Sequence, residues 1–350
     1  MRSMQFDEYG APLKEFTYEN PAPQGKEVLV RIEACGVCHS DLHLHEGYFD
    51  MGGGNKADVT RGRKLPFTLG HEIVGEVAAV GPDVTTAKVG DKRIVYPWIG
   101  CMECDVCTGG NTQLCATPRN LGVQVDGGYS DHVMCPDEQF LYDYGDVPTG
   151  LAATYACSGI TAYGALMKVK EAAERGGFVG IIGAGGVGMA GLMIAKAVFN
   201  AKTVVFDIDP AKLEAATAAG ADHVFDPSDP ATRKEVMKLT GGGLPGAVDF
   251  VGSDKTATFG VTNLGPSGVL AIVGLFGGAM TLPVPLFAFK NITVRGSMVG
   301  SPQEMAELMD LVKAGKVPPL PVAERPLDQA WSTLEDLRDG KIVGRVVLTP

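Results

Sequence analysis

Residues 178–188 read Phe178-Val179-Gly180-Ile181-Ile182-Gly183-Ala184-Gly185-Gly186-Val187-Gly188, a short apolar run that breaks into glycines. The run has the length and composition of a strand buried in a parallel sheet. The glycines fit Gly-x-Gly-x-x-Gly, and Val187 to Phe199, apolar nearly all round, continues as a helix that covers the sheet. Strand, glycine turn and helix in this order make a phosphate cradle. Gly183 permits the tight turn, Gly185 lets the backbone approach a pyrophosphate, and Gly188 lets helix and strand pack closely. Gly186 and Val187 open the helix, whose free N–H groups face the phosphates. Asp207 ends the next strand, 19 residues after Gly188. Its carboxylate can accept from both ribose hydroxyls and repels a 2′-phosphate. Asp209 adds a second negative charge and no Arg stands between Asp207 and Pro210, so the expected cofactor is NAD and not NADP.

Working outward, further short apolar runs lie at Thr203–Asp207, His223–Phe225, Ala247–Val251 and Val269–Val273, with helical stretches between them. The alternation predicts a Rossmann-type doubly wound parallel sheet, an α/β fold with right-handed crossovers, over residues 154–295. Residues 1–153 have a strand-like texture. Val28, Val30, Ile32 and Ala34 alternate with Leu29, Arg31 and Glu33, the period of two of a half-buried strand. Ile73–Val80, Arg93–Tyr96 and His132–Met134 are further short strands, and together they predict a small, irregular β-barrel. Residues 296–350 return to mixed structure. Ser301-Pro302-Gln303-Glu304 is a capping box, Met305, Leu308, Met309 and Val312 follow at helical spacing, and Gly315 stops the helix. The stretch 50–64, DMGGGNKADVTRGRK, is expected to be a long, mobile loop. Its Lys56, Arg61, Arg63 and Lys64 suit a solvated lid, with attraction of an anionic substrate tail as the alternative.

A chain of 350 residues, 45% hydrophobic and 20% charged, has room for two domains and a large core. Lys and Arg total 30 against 41 Asp and Glu, a net charge of −11. Phosphate recognition runs on positive surface, so neither nucleic acid nor an anionic membrane is an expected partner. Met1 to Gly10 contains no apolar run behind Arg2, so no secretory signal is expected and the cytoplasm is the expected location. Phe178–Ala195 and Thr256–Phe289 carry no charge, but glycines and prolines interrupt both; they are expected to be buried strands and turns, not membrane spans.

Clustered cysteines in such a chain point to metal before disulfides. Cys101, Cys104, Cys107 and Cys115 fall within 15 residues at gaps of two, two and seven. The short gaps let thiolates converge on one ion and the long one closes a tetrahedron, the pattern of a structural zinc in a lobe of about residues 96–118. A [4Fe–4S] cluster or two disulfides are the alternatives, and nothing else in the chain points to redox clusters or export. Cys38 lies in Cys35-Gly36-Val37-Cys38-His39-Ser40-Asp41 and His71 in Gly70-His71-Glu72. Neither spacing defines a metal site alone. Cys35 and Cys135 are expected to be small core residues.

These segments, the four-cysteine lobe and the later glycine fingerprint stand in an order that resembles a zinc-dependent alcohol dehydrogenase of the medium-chain dehydrogenase/reductase family over essentially the whole chain. The resemblance implies a GroES-like barrel as the catalytic domain and two zinc ions per chain. Cys38, His71 and Cys157, the last in Thr154-Tyr155-Ala156-Cys157-Ser158-Gly159, would hold the catalytic one. It implies that Glu72 stands near that zinc, that Asp41 orients the His ligand, and that Ser40 and His43 relay the substrate proton. Lys212 would meet the adenosine ribose, Arg345 the pyrophosphate, and Val273 to Leu275 the nicotinamide. Pocket walls carried over are Phe49, Trp98, Leu121, Leu275 and Met298. All are apolar, so the expected substrate is a hydrophobic aliphatic or aromatic alcohol, primary or secondary, and not a polyol. The resemblance also implies a homotetramer or dimer formed through the nucleotide domains. Two other functions are weighed: a metal-independent quinone or enone reductase of the same family, whose members lack the Cys38–His71–Cys157 set, and a non-catalytic nucleotide-binding protein.

Overall fold

The structure is a computed structural model that describes residues 1–342 and 344–350. It divides into two compact units: Met1–Tyr48 with Asp58–Ile160 and Ser301–Pro350, and Phe49–Ala57 with Thr161–Gly300. After the excursion of residues 49–57, the chain passes from the first unit to the second at 160/161. There the helix Thr149–Thr154, a π-helical turn Tyr155–Gly159 and the helix Ile160–Gly176 run on without a linker.

In the second unit six strands, all parallel, lie in the order His223–Phe225, Lys202–Phe206, Phe178–Ile182, Leu244–Asp249, Leu264–Ile272, Thr293–Gly296. Ile181, Val205, Val248 and Ala271 stand side by side across it, all fully buried. Burial on both faces is why these strands are nearly continuous apolar runs. Chain order reverses beside Phe178–Ile182, which opens a crevice at the carboxyl ends of that strand and Leu244–Asp249. The helix Gly186–Val198 leaves this edge with Gly185 as its N-cap. A Cβ on Gly188 would lie 1.8 Å from the Gly183 carbonyl oxygen, so helix and strand approach as closely as only glycine allows.

Residues 50–64 are a point of difference. Tyr48–Gly52 pairs with Asn55–Asp58 as a hairpin, turned by Gly53 and Gly54 at φ of +61° and +83°. The hairpin belongs to the second unit because Gly52 meets Gly278 backbone to backbone; a Cβ there would lie 2.4 Å from the Gly278 carbonyl carbon. Arg63 is not a solvated charge. It donates to the Val123 carbonyl at 2.7 and 3.0 Å and to that of Leu44 at 3.1 Å, and lies 4.8 Å over the Phe67 ring.

The first unit is built on a seven-stranded sheet. Leu141–Tyr142, Lys92–Val95, Glu72–Val80, Val28–Gly36, Arg345–Thr349 and Val322–Pro326 follow one another, and His132–Cys135 pairs with the first half of Val28–Gly36. The C-terminal strand Arg345–Thr349 thus closes on the strand that leads to Cys38. The helix Pro302–Lys313 is capped reciprocally by Ser301 and Glu304, buries Met305, Leu308, Met309 and Val312, and is followed by Gly315 at φ +68°. Among the described residues no helix is long and apolar enough to cross a membrane.

Candidate functional site

Three separate elements of the first unit deliver Cys38, His71 and Cys157. Cys38 is the N-cap of the helix His39–Glu46, His71 directly precedes the strand Glu72–Val80, and Cys157 sits in the π-helical turn. Such turns push one side chain out of the regular helical ladder. The ligand atoms of the three residues all lie within 4.8 Å of one another, and all three residues are buried.

Asp41 organises the cluster. It is fully buried, with Oδ1 3.2 Å from His71 Nδ1 and accepting the Gly70 amide, while Oδ2 accepts the Cys38 amide and the Tyr129 hydroxyl. His71 Nε2 makes no hydrogen bond of good geometry, and besides Asp41 the polar group close to the ring is the Cys38 thiol. A buried ring nitrogen without a well-formed hydrogen bond costs free energy, so this atom fits a metal bond. The Cys38 thiol is held well below its ordinary pKa by the hydrogen bond from Cys157, and the Cys157 thiol is pushed well above it by the same contact and by burial. Burial alone would lower His71; the neighbouring Asp41 outweighs it and leaves the imidazole well above its usual pKa. Two sulfurs and one imidazole nitrogen, three donors with a fourth position open, are the donor chemistry of a catalytic zinc site.

Behind the cluster, Glu72 is fully buried; Oε1 accepts the Ser158 amide at 3.1 Å and Oε2 forms an ion pair with Arg345 Nη2. Burial raises Glu72 to about 7 against the pull of Arg345. Arg345 is 7% exposed, and a guanidinium so buried needs the counter-charge that Glu72 supplies. The Trp98 ring packs 5.4 Å from that of His71, and its N–H donates to the Ala156 carbonyl, one residue before Cys157. Ser40 and His43 stand one turn apart on the helix His39–Glu46, both half-buried.

In the lobe, Cys104 Sγ lies 3.5 Å from Cys107 Sγ and 4.0 Å from Cys115 Sγ, and Cys101 Sγ lies 4.0 Å from Cys107 Sγ. A tetrahedron of four thiolates at a Zn–S distance of about 2.3 Å has edges of about 3.8 Å, so the arrangement fits a zinc ion. All eight cysteines are free of disulfides, which removes that alternative. Amides of Cys101 and Thr117 point at Cys115 Sγ and hold its pKa down to about 6, thiolate character that suits a metal ligand.

The glycine cradle lies in the second unit. A Cβ on Gly185 would meet no protein atom within 4 Å, so the space it faces is open to a ligand. Asp207 is half-buried; Oδ2 accepts the Ala184 amide at 2.7 Å and Oδ1 the Asp209 amide at 3.0 Å. The carboxylate that was expected to read the ribose thus also fastens the glycine turn, with remaining lone pairs for hydroxyl donors. Lys212 is exposed in the first turn of the helix Pro210–Ala218. Val273 and Leu275 follow the strand Leu264–Ile272, Leu275 being 53% and Met298 49% exposed, and Phe49 is half-buried in the hairpin. Leu121 is buried and lines a cavity of about 430 Å³ with Ile99 and Phe140. Tyr129, Gly70 and Ser158 escaped the sequence reading, since no local pattern links them to Asp41 or Glu72.

A family model described as "Alcohol dehydrogenase GroES-like domain" matches residues 24–146, and one described as "Zinc-binding dehydrogenase" matches residues 186–314. The chain is 38% identical to an NAD-dependent alcohol dehydrogenase of Sulfurisphaera tokodaii and 36% identical to one of Saccharolobus solfataricus, with 100% of each chain covered in both cases. Among solved structures, the alcohol dehydrogenase of Aeropyrum pernix is similar with a TM-score of 0.89 and 33% identity, over 100% of both chains. With two clusters that could hold a metal ion and its glycine cradle, the chain belongs to the zinc-type alcohol dehydrogenases of the medium-chain dehydrogenase/reductase family.

Proposed function

We propose that the protein is a zinc- and NAD-dependent alcohol dehydrogenase that interconverts hydrophobic primary or secondary alcohols and their aldehydes or ketones. The observation that carries this is the buried convergence of Cys38, His71 and Cys157 with a His71 Nε2 that makes no hydrogen bond of good geometry. Zinc held by these three supplies a Lewis acid that lowers the pKa of an alcohol hydroxyl, and NAD supplies the hydride acceptor. The protein does the rest. Asp41 keeps the proton of His71 on Nδ1, so Nε2 is the free donor. Two thiolates and a neutral imidazole balance a dication, which leaves a site of no net charge. Arg345 and the Ser158 amide hold Glu72 in place behind it. In this reading Ser40 takes the hydroxyl proton and His43, one turn on along the same helix, passes it outward. Gly183 to Gly188 hold the pyrophosphate, and Asp207 selects NAD. The lobe holds a second, structural zinc.

The apolar character of Phe49, Trp98, Leu275 and Met298 supports the hydrophobic substrate class. Discrimination by such walls is shallow, about 1–3 kcal/mol per methylene, so a broad range is expected. The test is metal content together with turnover. Purified protein should carry two zinc ions per chain and form NADH from benzyl alcohol, with loss on chelation and recovery with zinc. One zinc with reduction of an enone would favour the metal-independent reductase, and nucleotide binding without turnover the non-catalytic protein.

A further inference from the structure

Asp249 ends the strand Leu244–Asp249, paired beside Ile182 at the end of the fingerprint strand, and is fully buried. Its Oδ1 accepts the amides of Val251 and Gly252 at 2.9 and 3.0 Å, and its backbone carbonyl accepts those of Val273 and Gly274 at 2.9 and 3.1 Å. One residue therefore fastens both loops, 250–253 and 273–277. The loops then bond to each other: the Phe276 amide donates to the Val251 carbonyl and the Gly277 amide to that of Gly252, both at 3.1 Å. They approach so closely that a Cβ on Gly252 would lie 1.8 Å from the Gly274 carbonyl oxygen. Val251 also packs against Gly183, but the glycine turn itself is fastened separately, by the Ala184 amide on Asp207.

A carboxyl is a costly group for this place. Its Oδ2 makes no hydrogen bond of good geometry, and burial raises its pKa above the usual carboxylate range against the pull of the Gly252 and Val251 amides and of the nearby Thr256 hydroxyl. The neighbours Ala247 and Val248 show what packing alone selects in this strand. The carboxyl therefore serves the loops it fastens, and those loops edge the crevice at the carboxyl ends of Phe178–Ile182 and Leu244–Asp249.

We propose that Asp249 is a positioning residue for the nicotinamide half of the dinucleotide site. It sets the Val251–Gly252 turn against the segment that begins at Val273, while the adenosine half, fastened by Asp207, is independent of it. The proposal rests on the NAD reading above. Asp249→Val keeps the volume and suits a buried strand but removes the acceptor; Asp249→Asn keeps one acceptor oxygen. NADH and ADP-ribose, which lacks the nicotinamide, are titrated calorimetrically against the full-length wild type and both variants. Asp249→Val should bind NADH about tenfold more weakly with ADP-ribose within about twofold of wild type, and Asp249→Asn should recover the NADH affinity. An unchanged ratio of the two affinities in Asp249→Val overturns the proposal, whether both fall or neither does, and so does an Asn variant as weak as the Val one. Wild-type protein that binds neither ligand overturns the NAD reading itself, a failure separate from this one.

Discussion

At His71 one ring nitrogen lies 3.2 Å from Asp41 and the other makes no hydrogen bond of good geometry, so the imidazole is aimed by a carboxylate that touches no substrate. Asp41 faces donors on both oxygens: Gly70 N and His71 Nδ1 on one, Cys38 N and Tyr129 Oη on the other. An amide cannot satisfy both sides, since one end must present N–H to donors. Asp41→Asn should therefore weaken one of the two zinc sites by about 10–100-fold, read by competition with a chromophoric chelator, and leave the other unchanged. Equal affinities at both sites before and after would exclude the role. For the proposed relay, His43→Ala should slow alcohol oxidation while zinc content and NADH affinity stay unchanged. An unaltered rate would place the outward step on another group.

Among the elements, the turn after Phe178–Ile182 and the end of Lys202–Phe206 are joined by Asp207, which accepts the Ala184 amide. Asp207→Ser removes the charge that opposes a 2′-phosphate. The ratio of catalytic efficiencies for NAD over NADP should fall about tenfold or more, and an unchanged ratio would take selectivity away from this residue. The helix His39–Glu46 is tied by His45, whose Nε2 lies 2.6 Å from the Ala11 carbonyl and whose ring packs on Phe6 and Trp331. Burial lowers its pKa, more than the Ala11 carbonyl and Glu46 raise it, and Arg338 adds to the lowering. With the folded value below the unfolded one, the unfolded chain takes up the proton first. The stabilisation is thus complete above about pH 6.5 and is lost as pH falls toward the folded value. His45→Gln, which keeps a donor for Ala11, should lessen the decline of Tm between neutral and mildly acidic pH. Parallel declines in both proteins would clear His45 of this part.

For the whole molecule, the outermost strand Thr293–Gly296 pairs on one side only, and Val284 and Phe289 close by in sequence are 80% and 88% exposed. An edge strand, and exposed large apolar side chains near it in sequence, would suit pairing with a second copy. On that reading sedimentation of the wild type should report an oligomer, and Phe289→Asp should shift it toward the monomer. A monomeric wild type would rule the pairing out. The connectivity at this scale was the least legible. The chain passes between units at 48/49, 57/58, 160/161 and 300/301, and only the last two lie near the changes of texture at 153/154 and 295/296. The hairpin's membership follows from Gly52 meeting Gly278, and no window of sequence contains both.

Periodicity and short spacings carried the fold. The strands Phe178–Ile182 and His223–Phe225, the capped helix Pro302–Lys313 and the four lobe cysteines are each specified within a few residues of chain, so composition and spacing alone express them. Ala247–Val251 shows where that stops. The strand ends at Asp249 because its own carboxylate draws the Val251 and Gly252 amides into a turn, a choice that the apolar run conceals. Arg345 is the same lesson at long range. Its partner Glu72 lies 273 positions away, and Tyr129 lies 88 from Asp41. Whether a buried charge is matched depends on which distant strand the folded chain lays against it. Local pattern holds no record of that pairing; the closed sheet, with Arg345–Thr349 on Val28–Gly36, does.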